Sequence, residues 1–264
     1  GLQISTSGAV VTRGMGTGAV APGARGYGAI DLQNYRSDST QVASGARSVI
    51  SGGMGNSASG AMSVVSGGGD NAALGNSSVV PGGASNKAEG DYSAVGGGAG
   101  NAAYGQFSVI GGGNSNSAAA MAAAVAGGDS NAAGGDYSFV GGGNYNIVAG
   151  SNSVIAGGAT NVLDSTSSVI SGGEYNSATG MFAVVSGGSR NAVSGASSSI
   201  GGGDANSVTD TMGHVGGGRS NVVSGPYAVI SGGGYNNASG FYSVVTGGSS
   251  NNAAGTYSLA AGFS

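Results

Sequence analysis

Asn recurs at every fifteenth position without a single insertion: Asn56, Asn71, Asn86, Asn101, Asn116, Asn131, Asn146, Asn161, Asn176, Asn191, Asn206, Asn221, Asn236 and Asn251. Gly keeps the same step from Gly52 to Gly262. The next position is also Gly from Gly53 to Gly248, and only Phe263 breaks that row. The consensus unit is x-S-V-V/I-s-G-G-x-x-N-x-A-x-G-x. A fixed period of this length marks stacked units, none of which can bury its apolar side chains alone. A helix in each unit is excluded, because two adjacent glycines would cost about 2 kcal/mol per unit relative to Ala. The repeat therefore predicts an all-β fold, a β-solenoid with one 15-residue coil per unit.

Alternation along the unit orients the coil. Ser48, Val49 and Ile50 point to opposite faces in turn. The row that continues Ile50 holds only Val and Ile through Val245, and the Ser48 row holds only Ser, Ala and Gly through Ser258. Both are expected to fill a narrow lumen, together with the Asn56 row and the Ala58 row of Ala, Val and Leu. Gly52-Gly53 is expected to form the tight turn, with positive φ. Charge agrees with this arrangement: no Asp, Glu, Lys or Arg falls in the positions equivalent to 48–53, 56 or 58.

Composition then removes other classes. Gly accounts for 60 of 264 residues, yet charged residues are 7 % and hydrophobic residues 39 %, unlike a disordered chain kept open by polarity and self-repulsion. Gly every third residue, as in collagen, is absent. With no Cys there is no disulfide framework or thiolate metal site. Seven basic residues and a net charge of −4 provide no nucleic-acid patch. No apolar run is long enough to span a bilayer, so no membrane insertion is expected of this segment. The first residues show no basic start followed by an apolar stretch, and no signal peptide is read there.

The outward side of the first strand is apolar as well. Its row includes Val49, Val64, Val79, Val109, Phe139, Val154, Val169, Val184, His214, Val229 and Val244, and Tyr92, Phe107, Tyr137, Phe182, Tyr227, Tyr242 and Tyr257 point the same way. Rungs spaced about 4.8 Å apart would make a stripe of roughly 65–70 Å. A strand apolar on both faces is normally buried on both. One face closes the coil, and the other is expected to meet further copies of the chain in a homo-oligomer.

The repeated S-V-V/I-x-G-G-x-x-N-x-A-x-G resembles the head repeats of trimeric autotransporter adhesins of the YadA type over about residues 37–264. The resemblance implies a left-handed parallel β-roll and a homotrimer, with the Val49 row as trimer interface. Similar repeats occur in phage tail fibres and spikes. The lead-in Ala29-Ile30-Asp31-Leu32-Gln33, followed by Gln41-Val42-Ala43-Ser44-Gly45, is closer to the phage version. The adhesin heads often use 14-residue repeats followed by a neck, a heptad stalk and an anchor, and these 264 residues carry none of those segments. The resemblance implies a non-enzymatic, extracellular segment of a phage tail fibre or spike that mediates or presents attachment to a host-cell receptor. The alternative is the head of a bacterial adhesin on the outer-membrane surface, binding host cells or matrix.

The domain reading is residues 1–36 as irregular capping coils, from Gly8-Ala9-Val10, Gly18-Ala19-Val20 and Gly28-Ala29-Ile30, then residues 37–264 as about fifteen repeats. Ala261 to Ser264 stop in mid-coil, so a following domain or a removed C-terminal chaperone is expected.

No enzyme is expected, and no cofactor: a single His and dispersed carboxylates form no acid–base pair. Lys87 follows Asn86, so no phosphate-binding Gly-Lys-Ser/Thr exists. Repeated Thr, which an ice-binding solenoid requires, is scattered over several rows. The Asn row reads as structural, since stacked Asn side chains can bond along the stack and to turn backbone. Tyr145, Tyr175 and Tyr235, just before the Asn, are candidate receptor contacts together with Arg190 and Arg219. No metal site is evident within one chain. His214 is unusual in an apolar row, and three copies on a threefold axis would converge at one level, where an axial ion becomes possible.

Overall fold

The computed structural model describes residues 2–4, 10–12 and 25–263, with side chains from residue 25 onward. Among the described residues there is no helix. The chain divides into two compact units, Gly1–Ala133 and Gly134–Ser264. Each is a parallel β-solenoid whose coils follow the period of the sequence repeat.

In the first unit, two-residue strands Val49–Ile50, Val64–Val65, Val79–Val80, Ala94–Val95, Val109–Ile110 and Ala124–Val125 form one parallel ladder, each paired with its equivalent in the next coil. Ser57–Ala58, Ala72–Ala73, Lys87–Ala88, Ala102–Ala103, Ser117–Ala118 and Ala132–Ala133 form a second. The second unit repeats the scheme, from Phe139–Val140 to Leu259–Phe263 in one ladder and from Ile147–Val148 to Asn252–Ala253 in the other. The register is fixed because a slip of one residue would turn every lumen side chain outward.

The lumen holds the rows assigned to it. The Ile50 row from Ile50 to Val245 and the Ala58 row from Ala58 to Ala253 are essentially inaccessible, and Ser48 and its Ser equivalents through Ser243 are buried beside them. Apolar side chains of both rows pack there, with Ala in most coils of the second row and Val148, Leu163, Val193, Val208 and Val223 in the others.

The Asn side chains close the lumen at one corner. Asn71 Nδ2 donates to the carbonyl oxygens of Gly67 and Gly83 at 3.0 and 2.9 Å. Its backbone N–H donates to Asn56 Oδ1 at 2.9 Å, and its own Oδ1 accepts from the backbone of Asn86 at 3.0 Å. The same bonds recur at Asn101, Asn161, Asn191 and Asn221. At the start of the ladder Gln33 takes the Asn role: its Oε1 accepts from Asn56 N at 2.8 Å and its Nε2 donates to Asn56 O at 3.1 Å.

Each coil turns at left-handed residues, more of them than the glycines suggested. The Gly53 row has φ of 81–95°, as expected of the Gly-Gly turn. A Cβ at Gly53 would meet the carbonyl oxygen of Gly68. Two further corners are left-handed with non-glycine residues, among them Asp70, Tyr145 and Arg190 at one and Met62, Tyr92 and Phe107 at the other, with φ near 51–60°. The preference for right-handed backbone, about 1–2 kcal/mol per residue, is opposed here by a hydrogen bond. Tyr92 N donates back to Asn76 O at 2.8 Å, whereas strand amides such as Val79 N donate forward, to Ser93 O. These corners therefore tie each coil to the one before it as well as the one after.

The beginning of the chain is described only in part. The three-glycine recurrence at residues 8–30 lies largely outside the described residues. Leu2–Ile4 pairs antiparallel with Val10–Thr12, which runs parallel to Ile30–Asp31. A parallel pair needs a crossover of a dozen or more residues, and residues 5–9 are too few. Asp31 stands in register with Ile50 and is fully buried. There the lumen turns ionic, with Arg36 Nη2 2.7 Å and Arg25 Nε 3.4 Å from Asp31 Oδ2. Burial, and then repulsion from Arg36, hold the Arg25 guanidinium below its ordinary pKa, with Asp31 opposing them.

Asn161→Ala deletes the donors to Gly157 O and Gly173 O and strands the buried N–H of Asn176. It is expected to cost about 3 kcal/mol in chemical denaturation. The Asn176 amide should lose hydrogen-exchange protection first; unchanged protection there would contradict the ladder's role.

Candidate interaction surface

No charged side chain interrupts the outward side of the Val49 ladder, because the positions equivalent to 49 and 51 alternate outward across each strand and neither carries Asp, Glu, Lys or Arg. Several of its apolar residues are well exposed, Val109 by 45 % and Phe139 by 39 %. On one flank stands the left-handed corner bearing Met62, Tyr92, Phe107, Tyr137, Phe182, Met212 and Tyr242, all exposed. Tyr92 and Phe107 stack at 5.2 Å. Tyr227, Tyr242 and Tyr257 stack at 4.7 and 5.5 Å, and Phe241 meets Tyr242 edge-on at 4.5 Å. The ring pitch follows the coil pitch, which the rigid ladder beneath sets.

The other flank holds only small residues. The Ser51 row contains nothing larger than Pro or Thr, and the Gly52 row is Gly throughout. At Gly52, Gly67, Gly82, Gly157, Gly217 and Gly232 an added Cβ would meet no atom within 4 Å, and the backbone is not left-handed. Nothing inside the chain requires glycine at those six positions. In each unit this face thus has an apolar middle and a bare edge that repeat with the coil, and an opposite edge where bulky side chains alternate with Arg47 and with small residues such as Ser77, Ala122 and Ser167.

The proposed receptor contacts fall on the opposite corner. Tyr145, Tyr175 and Tyr235 share one left-handed position, two and four coils apart, and are exposed. Arg190 occupies the same position and Arg219 the position before it. The structure brings the two arginines together on Asp204. Arg190 Nη2 and Nε lie 2.6 and 3.0 Å from Asp204 Oδ1, and Arg219 Nε lies 3.7 Å from Oδ2. The hydrogen bond to Asp204 and the attraction of its charge raise the Arg190 pKa further. The Tyr residues are spaced along this corner rather than gathered on the arginines. A second outward row, Ile147, Val162 and Val222 on the other ladder, is also exposed and apolar; sequence reasoning passed over it because Ser, Ala, Lys and Asn share its positions.

His214 extends outward in the Val49 row, with Nδ1 2.8 Å from Ser199 Oγ. Among the described residues no three His, Asp or Glu side chains of one chain group closely enough to hold a metal ion, and no helix is long and apolar enough to cross a membrane. No protein-family model matches the sequence, and no curated protein shows significant similarity to it.

Asp204→Ala is expected to leave the unfolding midpoint unchanged, since exposed ion pairs add little. It should also release Arg190 and Arg219 to bind anions, read as stronger retention on heparin. A lowered midpoint would show that the pair is structural.

Proposed function

We propose that this chain is a non-enzymatic segment of a phage tail fibre or spike, a left-handed β-roll that assembles as a homotrimer and presents its outer corners to a host-cell surface. The observation carrying the assembly is the outward strand face without charge, flanked by a corner rich in aromatic and Met side chains on one edge and by glycine on the other. Its features repeat at the coil pitch of about 4.8 Å. An occupant that fills every hole along such a face must carry knobs at the same pitch, and a parallel second copy does. Rotation about an axis along the stacking direction sets the bulky edge of one copy against the bare edge of the next, which gives Gly52, Gly67, Gly82, Gly157, Gly217 and Gly232 a reason to stay bare. The number three comes from the resemblance of the repeat, as does attachment to host cells. The exposed Tyr145, Tyr175 and Tyr235 of the far corner are left for a receptor in such an assembly, beside the Arg190–Asp204–Arg219 cluster.

Sedimentation equilibrium is expected to give three times the chain mass of 24.4 kDa. The mass of a single chain would overturn the assembly. Val154→Asp should dissociate it, because charges would converge in a dry interface, whereas Asp164→Ala, exposed on another row, should not. Gly157→Ala and Gly157→Leu are the sharper test: a Cβ there meets no atom of its own chain within 4 Å, so circular dichroism should be unchanged while the mass falls, more completely for Leu. Labelled protein should bind bacterial cells, with binding reduced in the Tyr175→Ala/Tyr235→Ala double variant. Binding to animal matrix proteins and not to bacteria would instead favour an adhesin head.

A further inference from the structure

The outward row from Val49 to Leu259 holds Val, Ala, Phe or Leu at every level but two, and those two are consecutive: Ser199 and His214. They face each other across parallel strands, with Val184 in register before the pair and Val229 after it. The Ser199 hydroxyl lies 2.8 Å from His214 Nδ1. That contact occupies one ring nitrogen and leaves Nε2 free on the exposed face of the chain. Two departures from an apolar pattern that adjoin and engage each other form a local arrangement, unlike a scattered polar substitution.

We propose that His214 is one third of a metal site that exists only in the assembled protein, in which Nε2 from three copies binds one divalent transition-metal ion. The inference rests on the homotrimer reading, with the Val49 row turned to the threefold axis. Rotation then brings three His214 rings to one level, and an imidazole nitrogen binds such an ion at about 2.0–2.1 Å. With Nε2 on the ion, Nδ1 carries the ring proton and donates it to the Ser199 hydroxyl 2.8 Å away, a bond that fixes the ring plane. Three neutral imidazoles suit Zn2+, Ni2+ or Cu2+, whereas Mg2+ and Ca2+ prefer oxygen ligands. Val184 and Val229 close the level on either side, and the fourth coordination position is left for water or a small anion. Phe139, five coils earlier in the same unit, shows that the row accepts a ring of this reach.

The test uses the whole chain, stripped with a chelator and dialysed against Zn2+ or, for its visible absorption, Co2+. The expected result is one ion per three chains, a Co2+ spectrum of low-coordinate form, and a melting temperature raised by Zn2+ but not by Mg2+. His214→Val, which restores the prevailing side chain of the row, should abolish binding while keeping the trimer mass. Ser199→Ala should keep the trimer and weaken Zn2+ about 10-fold or more. A trimer that binds no Zn2+, one ion per single chain, or equal binding by the His214→Val protein would each overturn the site and leave the assembly standing. A monomeric mass would overturn both.

Discussion

The hydrogen bond from each Asn backbone N–H to the Asn oxygen one coil earlier carries the register of the fold, as between Asn71 and Asn56 at 2.9 Å. The same side chain donates to carbonyls of the Gly-Gly turn in its own coil and in the next. One buried amide thus satisfies donors and acceptors that a tight turn would otherwise strand away from water. Because every coil supplies the same group at the same place, the solution found for one turn serves all of them. Gln33 shows the rule at its boundary: where the repeat has not begun, another amide of similar chemistry starts the ladder.

From that fixed corner the other features follow. Within the repeats up to Ala238 the strands are only two residues long, with left-handed residues interrupting the backbone on both sides of each coil. The lumen stays narrow, so Val or Ile can face only Ala or another modest side chain. Short strands and a thin core would give little stability to one coil alone, and stacking supplies it. The forward bonds of the strand amides and the backward bonds of the corner amides make each coil dependent on both neighbours.

The same rigidity gives the surface its character. Within each unit, side chains at one coil position stack into a row, so a preference at one position is displayed many times over. On the Val49 side this produces a face without charge between an aromatic edge and a glycine edge; on the far corner it spaces Tyr145, Tyr175 and Tyr235 and sets Arg190 and Arg219 on Asp204. The first suits a partner with the same period, and the second suits a ligand met from outside.

The sequence alone determined the coil length, the all-β class and the contents of the lumen, because a strict period transmits directly into stacked geometry and because Val, Ser and Asn rows sort by burial. It also marked the Val49 row, the Asn row and His214. It did not reveal the left-handed corners at Tyr92 or Asp70, since φ there is imposed by hydrogen bonding between coils against local preference. Nor did it reveal that Asp31 enters the lumen with Arg25 and Arg36, because a single break in an apolar row reads as a surface residue until its register is known. Tertiary structure alone joined Arg190 to Asp204 and Ser199 to His214, pairs distant in sequence that stacking brings within hydrogen-bond distance. It also separated adjacent glycines that look alike in sequence. Gly53 is held by the next coil's backbone and a positive φ, whereas Gly52 faces open space that nothing in its own chain fills.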